Sequence, residues 1–299
     1  MKKILLSISA VMAMMAMTAT FSACSSDDEQ ESSNATLIIN ASRGDYGGGT
    51  RQISLNDNDN IVTTWGSSDK VYAYKEGWTT PIGILSPDPN YPTNNNVTKL
   101  KGDISPSGLS VGSNMDFIMP RDVWDYTGQD GTIATISSKY DYATARVQVT
   151  FFDQNNKVYG TTAYFKTQQA IIKYELYYMD GTTEKSLDAK TLTIVSGQGK
   201  LVKSLDLDGN NVVYGGLEVT SGAANGTSIF YVALRNDYKQ ADTYTLTAKD
   251  KNGTIYSSTT SQGHTYAYTD YICHKVVMSA YDDTHTERDV YQNKVDQTW

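Results

Sequence analysis

The chain has 299 residues, 22 tyrosines and a formal net charge of −8, with 33 acidic residues against 25 lysines and arginines. The acidic balance argues against a nucleic-acid-binding protein, because phosphate backbones are bound by basic surfaces. The length suits two domains of ordinary size. None of the three histidines has a zinc-site spacing, and no nucleophile or phosphate-loop motif is present, so we expect no metal, no cofactor and no enzymatic activity.

The first 24 residues have the order of a bacterial lipoprotein signal. Two lysines precede a short apolar run at 4–17, and small residues then precede Cys24. We expect cleavage to remove residues 1–23 and lipidation of Cys24 to anchor the chain in the outer membrane. The alternatives are an ordinary secretory signal, in which Cys24 is incidental, and an uncleaved helix.

Residues 24–35 are polar and acidic, which is typical of a solvated tether. Such a stretch after a lipidated cysteine resembles the signal that sends some lipoproteins to the outer face of the outer membrane. The sequence therefore predicts export to the cell surface, although a spacer that holds a domain away from the bilayer would have the same composition.

The remaining chain alternates short apolar stretches with turn-forming Gly, Asn and Asp residues, a pattern typical of strands. In chain order the predicted strands are 36–41, 71–74, 146–151, 170–178, 191–195, 229–234, 244–248 and 271–278. No segment longer than two turns has a helical apolar period. The sequence predicts an all-β fold built from β-sandwiches.

We expect two such domains in tandem after the tether, at residues 36–155 and 156–280. The boundary is placed at the polar run 153–157, which could equally be a hairpin turn. A polar tail follows at 281–299, and its few apolar residues, from Val290 to Val295, make it a candidate donor strand for another subunit.

The tryptophans divide between core and surface. We expect Trp65 in the core of the first domain, with Asp69 in the turn before the 71–74 strand. Trp78 and Trp124 are candidate glycan contacts, because an aromatic face can pack on the CH groups of a sugar ring.

Cys273 and His274 are neighbours in a predicted strand and therefore point to opposite faces. They cannot form a catalytic dyad. We expect a packed thiol and an outward imidazole.

Residues 50–51 (TR) and 64–74 (TWGSSDKVYAY) resemble the start of the first domain of the fimbrillin superfamily, the subunits and anchors of type V pili. Ser68 stands where that family usually has glycine, which affects the turn geometry. Further segments of the same order are 117–120 (FIMP), 126–133 (YTGQDGTI), 140–143 (YDYA) and 262–266 (QGHTY). The resemblance covers nearly the whole chain after the signal.

The resemblance implies two transthyretin-like, Greek-key β-sandwich domains that assemble by strand exchange. In such pilins an arginine-specific protease cuts after the first strand, and a strand of the next subunit fills the groove. Here the strand removed on assembly would contain Leu37, Ile38 and Ile39. The processing site would be Arg51 or, second, Arg43, both expected in a glycine-rich loop.

The function expected from this resemblance is a structural or adhesive pilus subunit, or a pilus-associated protein. Its partners would be other pilus subunits, the outer membrane and a surface ligand of a host or bacterium. The alternative is a glycan-binding surface lipoprotein that uses Trp78, Trp124 and neighbouring tyrosines. A surface hydrolase with a pair of carboxylates is the third reading.

Overall fold

A computed structural model describes residues 34–43, 52–56, 58, 61–91, 96–120, 123–207, 209, 211–260, 263–268 and 270–281. This part of the chain is almost entirely β-structure, so the predicted all-β class is confirmed. The signal peptide, Cys24, the tether up to residue 33, Arg51 and the tail after residue 281 lie outside the described residues.

Eleven strands lie in the first half of the chain, and each predicted strand there is present. They are β1 (Ala35–Arg43), β2 (Gln52–Leu55), β3 (Ile61–Thr64), β4 (Val71–Lys75), β5 (Gly83–Pro87), β6 (Val97–Ile104), β7 (Asn114–Met119), β8 (Trp124–Asp125), β9 (Ala143–Phe152), β10 (Lys157–Gly160) and β11 (Ala163–Thr167). A single helical turn, α1 (Ile133–Thr135), continues into a π-helical turn at Ile136–Tyr140.

Eight of these strands form one sheet in the order β10, β1, β11, β9, β7, β4, β5, β6. Because β1 also pairs with β6, and both β10 and β11 pair with β9, the sheet closes on itself as a barrel. Closure removes the open edges at which an antiparallel sheet would otherwise join another chain. The first half is therefore a closed form of the expected sandwich.

The interior of the barrel holds an aliphatic and aromatic core around Trp65. The indole is fully buried and meets Phe165 edge-on, with ring centroids 5.5 Å apart. Asp69 closes the turn before β4, since its carboxylate accepts a hydrogen bond from the Gly66 amide at 3.0 Å. Both predictions, Trp65 in the core and Asp69 in the turn, are confirmed.

The second half adds ten strands, and the predicted ones are again present. They are β12 (Ala170–Asp180), β13 (Thr183–Ser186), β14 (Ala189–Ser196), β15 (Val202–Leu205), β16 (Val213–Tyr214), β17 (Leu217–Thr220), β18 (Ile229–Leu234), β19 (Tyr244–Asp250), β20 (Ile255–Thr259) and β21 (Tyr271–Ala280). The main sheet has the order β13, β12, β21, β20, β19, β14, β17, and β18 pairs with β12 beside β13. A second core lies against this sheet.

The polar run 153–157 is a hairpin turn. It joins the antiparallel strands β9 and β10, and Asn156 adopts the positive φ of 53° that such a turn needs. Both β10 and β11 belong to the first sheet, so the change of sheet falls between Thr167 and Ala170 and not at residue 155. The turn alternative for this run is the correct one.

The second core also takes residues from the first half of the chain. Between β7 and β9, which are neighbours in the barrel, residues 124–142 leave it and pack on the second sheet. Trp124, Tyr126 and Ile136 are buried there, and β8 pairs with β15. We call residues 124–142 the crossing segment.

Gln129 fixes the crossing segment in the second sheet. Its side-chain amide donates to the Ala233 carbonyl at 2.7 Å and accepts from the Ala233 amide at 2.8 Å. Its own carbonyl accepts from the Thr220 amide at 3.0 Å. Because Ala233 lies on β18 and Thr220 on β17, the segment bridges these two strands.

Candidate functional site

The first candidate site is β1, which occupies a closing position in the barrel. On one side it is antiparallel to β6 over eight residue pairs, from Ala35 with Ile104 to Ser42 with Val97. On the other side it is parallel to two short strands, β10 from Thr36 to Ile38 and β11 from Ala41 to Arg43. Parallel pairing is slightly weaker per residue than antiparallel pairing, so this second side is the weaker of the two.

Side chains of β1 alternate between the core and the outer face. Leu37 is fully buried and Ile39 is 2% exposed, whereas Ile38 lies on the outer face and is half-buried. Leu37 and Ile39 therefore share the inner face of β1. Burial of each such aliphatic side chain contributes roughly 1.5–3 kcal/mol, so β1 is a substantial part of the first core.

Gly160, at the end of β10, lets the parallel side of β1 come close. A Cβ at this position would lie 2.5 Å from Val147 Cγ1 and 3.3 Å from Ile39 Cγ2. Any other residue would push β10 away from β1 and β9. The slot around β1 therefore depends on a glycine that the sequence pattern did not single out.

The two candidate processing residues differ in position. Arg43 is the last residue of β1, and its backbone pairs with Phe165 of β11, so the expectation that it lies in a loop is wrong. The strand β1 runs two residues further than its apolar residues do. Arg51 lies outside the described residues, as does Cys24, so processing at Arg51 and lipidation at Cys24 stay predictions.

The two candidate glycan contacts also differ. Trp78 is 53% exposed in the turn after β4. Trp124 is 5% exposed, its ring stacks on Tyr142 at 5.5 Å, and the guanidinium of Arg235 lies 5.8 Å from its centroid. An indole enclosed in this way has no face available for a sugar, and only Trp78 keeps one accessible.

The histidine and cysteine of β21 take the opposite orientation to the expected one. His274 is buried and Cys273 is exposed. The Tyr266 hydroxyl lies 3.0 Å from His274 Nε2, and the His264 ring meets the His274 ring edge-on, with centroids 5.3 Å apart. Burial, with the charge of His264, lowers the pKa of His274 to about 4, and burial raises the pKa of Tyr266. The expectation failed because both faces of β21 carry polar side chains, so alternation alone did not identify the inner face.

This buried cluster has the character of a structural network. Tyr174 stacks on His274, and burial raises the pKa of the Tyr174 hydroxyl well above its usual value. Asn236 donates to Asp242 at 2.8 Å and to the Tyr244 hydroxyl at 2.6 Å, within the same core. Of the residues that the structure describes, no three His, Cys, Asp or Glu side chains are grouped to hold a metal ion. Nor does any described helix have the length and apolar character needed to cross a membrane.

Searches against protein-family models and against curated proteins gave no match. Among solved structures, the chain is similar to a candidate cell adhesion protein from Bacteroides uniformis, at 13% identity over 82% of this chain and 94% of that chain, with a TM-score of 0.41. It is also similar to a candidate cell adhesion protein from Bacteroides fragilis, at 11% identity, 83% and 99% coverage and a TM-score of 0.40. A minor pilin of Streptococcus agalactiae matches at 10% identity, 84% and 98% coverage and a TM-score of 0.24. Proteins named as cell adhesion proteins and pilins are thus among the solved structures that this chain resembles.

Proposed function

We propose that this protein is a structural, adhesive subunit of a pilus-like surface polymer, or a pilus-associated protein, that assembles by exchange of β1. The observation that supports the proposal is the place of β1: one strand, joined to the rest by the 44–51 segment, closes the barrel and contributes four buried side chains to its core. The similar solved structures are named for the same kind of role.

Loss of β1 would leave two kinds of unsatisfied surface. The facing edges of β6, β10 and β11 would expose unpaired backbone groups, and the sites of Leu37 and Ile39 would become an apolar groove. Both cost free energy until another strand replaces β1, so an opened subunit would bind a donor strand. With β1 in place the same barrel has no open edge there, which would keep the precursor monomeric.

Arg51 is the preferred processing residue in this proposal. A cut after Arg51 or after Arg43 would free the whole of β1, because Arg43 is its last residue. Backbone that is paired in a sheet is a poor protease substrate, which ranks Arg43 second. The 281–299 tail is the candidate donor, and Cys24 would carry the lipid that holds the protein at the outer membrane before assembly.

The test uses soluble protein of residues 25–299, digested briefly with trypsin and then sized by chromatography, with the new N-terminus sequenced. We expect cleavage after Arg51 or Arg43 followed by high-mass species. Because trypsin also cuts at lysine, a second protein has residues 45–50 replaced by a site for tobacco etch virus protease, which allows one cut only.

The matched controls separate the parts of the proposal. An Arg43→Gln, Arg51→Gln double variant should stay monomeric under trypsin, and a protein ending at residue 281 should be cut without polymerising if the tail is the donor. If the single cut in the 45–50 segment gives no oligomer from the full-length protein, strand exchange is refuted for this chain. An anchoring or capping role would then replace it.

A further inference from the structure

A groove of about 560 Å³ lies on the outer face of the barrel, over β4, β7, β9 and β11. Its lining includes three aromatic and three charged side chains, namely Tyr74, Trp78, Tyr164, Asp116, Arg146 and Lys166. A volume in this range is typical of sites for small ligands, which bind in concave clefts. A protein interface instead needs roughly 800 Å² of surface on each partner.

Two exposed aromatic rings stand on opposite sides of the groove. Trp78 follows β4 and is 53% exposed, and Tyr164 on β11 is 65% exposed. Three strand spacings separate β4 from β11, a distance of about 14 Å. The Lys75 ammonium lies 4.7 Å from the centroid of the Trp78 ring, an attraction that restrains the indole. The strand positions of the two residues therefore suit an elongated ligand better than a single small group.

The groove between the rings is lined by a charged pair, Arg146 and Asp116, and Glu76 lies beside it. Arg146 donates two hydrogen bonds to Asp116, from Nε to Oδ1 at 2.8 Å and from Nη2 to Oδ2 at 3.2 Å. Its Nη1 lies 2.9 Å from Glu76 Oε1, and Asn114 donates to the other Glu76 oxygen at 3.1 Å. These groups pair with one another but stay accessible, with 58% of the Arg146 side chain exposed. They offer fixed hydrogen-bond donors and acceptors.

We propose that this groove binds a neutral oligosaccharide. Sugar rings present apolar CH faces that pack on aromatic side chains and hydroxyl groups that both donate and accept hydrogen bonds, which are the two kinds of surface found here. The carboxylates of Asp116 and Glu76, which pair with Arg146, disfavour a strongly anionic ligand. Such a groove would allow the protein to adhere to a glycan-bearing surface.

The groove contains no residue of β1, so it can be tested in the uncleaved monomer. Soluble protein of residues 25–299 would be titrated by calorimetry with maltohexaose, cellohexaose and mannohexaose. Quenching of tryptophan fluorescence by acrylamide would be measured in parallel. We expect one of these hexasaccharides to bind and to protect Trp78, because the other described tryptophans, Trp65 and Trp124, are buried.

The variants use exposed residues, so that each protein should keep its fold, as circular dichroism would check. Trp78→Ala and Tyr164→Ala should each weaken binding at least tenfold, and Trp78→Phe, which keeps a ring, should weaken it less. Tyr91→Ala is the matched control, because Tyr91 is also exposed and packs on Lys99 outside the groove. The Tyr91→Ala variant should bind the hexasaccharide with the affinity of wild type.

Three results would overturn the glycan site. One is the absence of binding by all three hexasaccharides at millimolar concentration. Another is binding that neither Trp78→Ala nor Tyr164→Ala weakens. The third is preferential, salt-dependent binding of a heparin hexasaccharide, which would assign an anionic ligand. None of these results bears on strand exchange, because the glycan test uses uncleaved protein and the strand-exchange test requires cleavage after β1.

Discussion

Trp65 and Trp78 lie 13 residues apart, one inside the barrel and one on its outer surface. Trp65 fills the core against Phe165, and replacing it with alanine would remove those contacts and leave a cavity. We expect Trp65→Ala to lower the free energy of unfolding by about 3–5 kcal/mol. Urea denaturation followed by circular dichroism measures this, with Trp78→Ala as control, for which a change within about 0.5 kcal/mol is expected. Equal losses in the two variants would contradict the assigned positions.

A second residue-scale effect concerns acid stability. Burial, and then the charge of His264, lowers the pKa of His274 to about 4, whereas an unfolded histidine has a pKa near 6.5. Between these values the unfolded chain binds a proton that the folded chain does not. The free energy of unfolding must therefore fall as pH decreases from about 6.5 to about 4, and this contribution is complete below pH 4.

We predict that His274→Gln removes part of this acid dependence. In wild type the residue contributes a slope of at most about 1.4 kcal/mol per pH unit within that window. Glutamine cannot titrate, so the variant should show a shallower decline between pH 6.5 and pH 4, whatever its stability at pH 7. Urea midpoints at half-unit pH steps give the comparison. Parallel curves for the two proteins would contradict a buried neutral imidazole.

At the scale of elements, β1 gives a test within two adjacent residues. Leu37 is fully buried, and Ile38 lies on the outer face of the same strand. We expect Leu37→Ala to lower the free energy of unfolding by about 2–5 kcal/mol, because it leaves a cavity in the barrel. Ile38→Ala should cost about 1 kcal/mol or less. Similar losses from both would mean that β1 does not alternate as described.

Eight of the strands were predicted from the sequence, but the closure of the barrel was not. Alternation in β1, β9 and β19 reports local geometry, since successive side chains of a strand point to opposite faces. Pairing of β1 with β6 and β10 joins residues at least 55 positions apart, and no local pattern encodes such partners. The barrel therefore became visible only in the structure.

The same dependence on residues distant in sequence explains why the sequence did not separate the exposed from the buried aromatic residues of the candidate site. Trp78 and Trp124 have similar polar neighbours in sequence, yet Trp124 is enclosed because the crossing segment leaves the barrel and packs on the second core. Tyr164 carries no signal of its own in a strand that alternates normally, and it joins Trp78 only because β11 lies three strands from β4. Burial by a distant element cannot be deduced from neighbouring residues.

Gln129 shows how one side chain can act as part of a sheet. Its amide makes both backbone-like hydrogen bonds to Ala233, and both atoms are buried. Gln129→Ala would leave the N–H and C=O of Ala233 unsatisfied, at about 1–3 kcal/mol for each group. Thermal unfolding measures the loss, and Gln148→Ala, on the exposed face of β9, should leave the midpoint nearly unchanged. A loss no larger than that of the control would argue against this role.

For the whole molecule, the crossing segment makes the two cores interdependent. It is covalently part of the barrel, between β7 and β9, while its buried side chains belong to the second core. Unfolding of the barrel would therefore withdraw Trp124, Tyr126 and Ile136 from that core. We infer that the described part of the chain unfolds in one cooperative transition, despite its two sheets.

A fragment of residues 168–281 tests this directly. It contains every strand of the second sheet but lacks the crossing segment, so β17 and β18 lose their bridge and the core loses its aromatic cover. We expect it to give no cooperative thermal transition. Restoring the segment should restore folding, and the structure offers a short connection, because the Gln168 amide donates to the Tyr142 carbonyl at 2.9 Å.

The matched protein therefore joins residues 123–142 to residues 168–281 through a Gly-Ser-Gly linker. The linker replaces β9 to β11, and it is long enough because residues 142 and 168 are adjacent in the structure. We expect it to unfold cooperatively in calorimetry, at a lower temperature than the full chain, because β2 and β3 with Ile61 are still missing from the core. If the 168–281 fragment unfolds as sharply as the fused one, the second core does not need the crossing segment. The two sheets would then be independent domains, and opening the barrel at β1 would leave the second half intact. If only the fused fragment folds, a change in the barrel reaches the second core through residues 124–142.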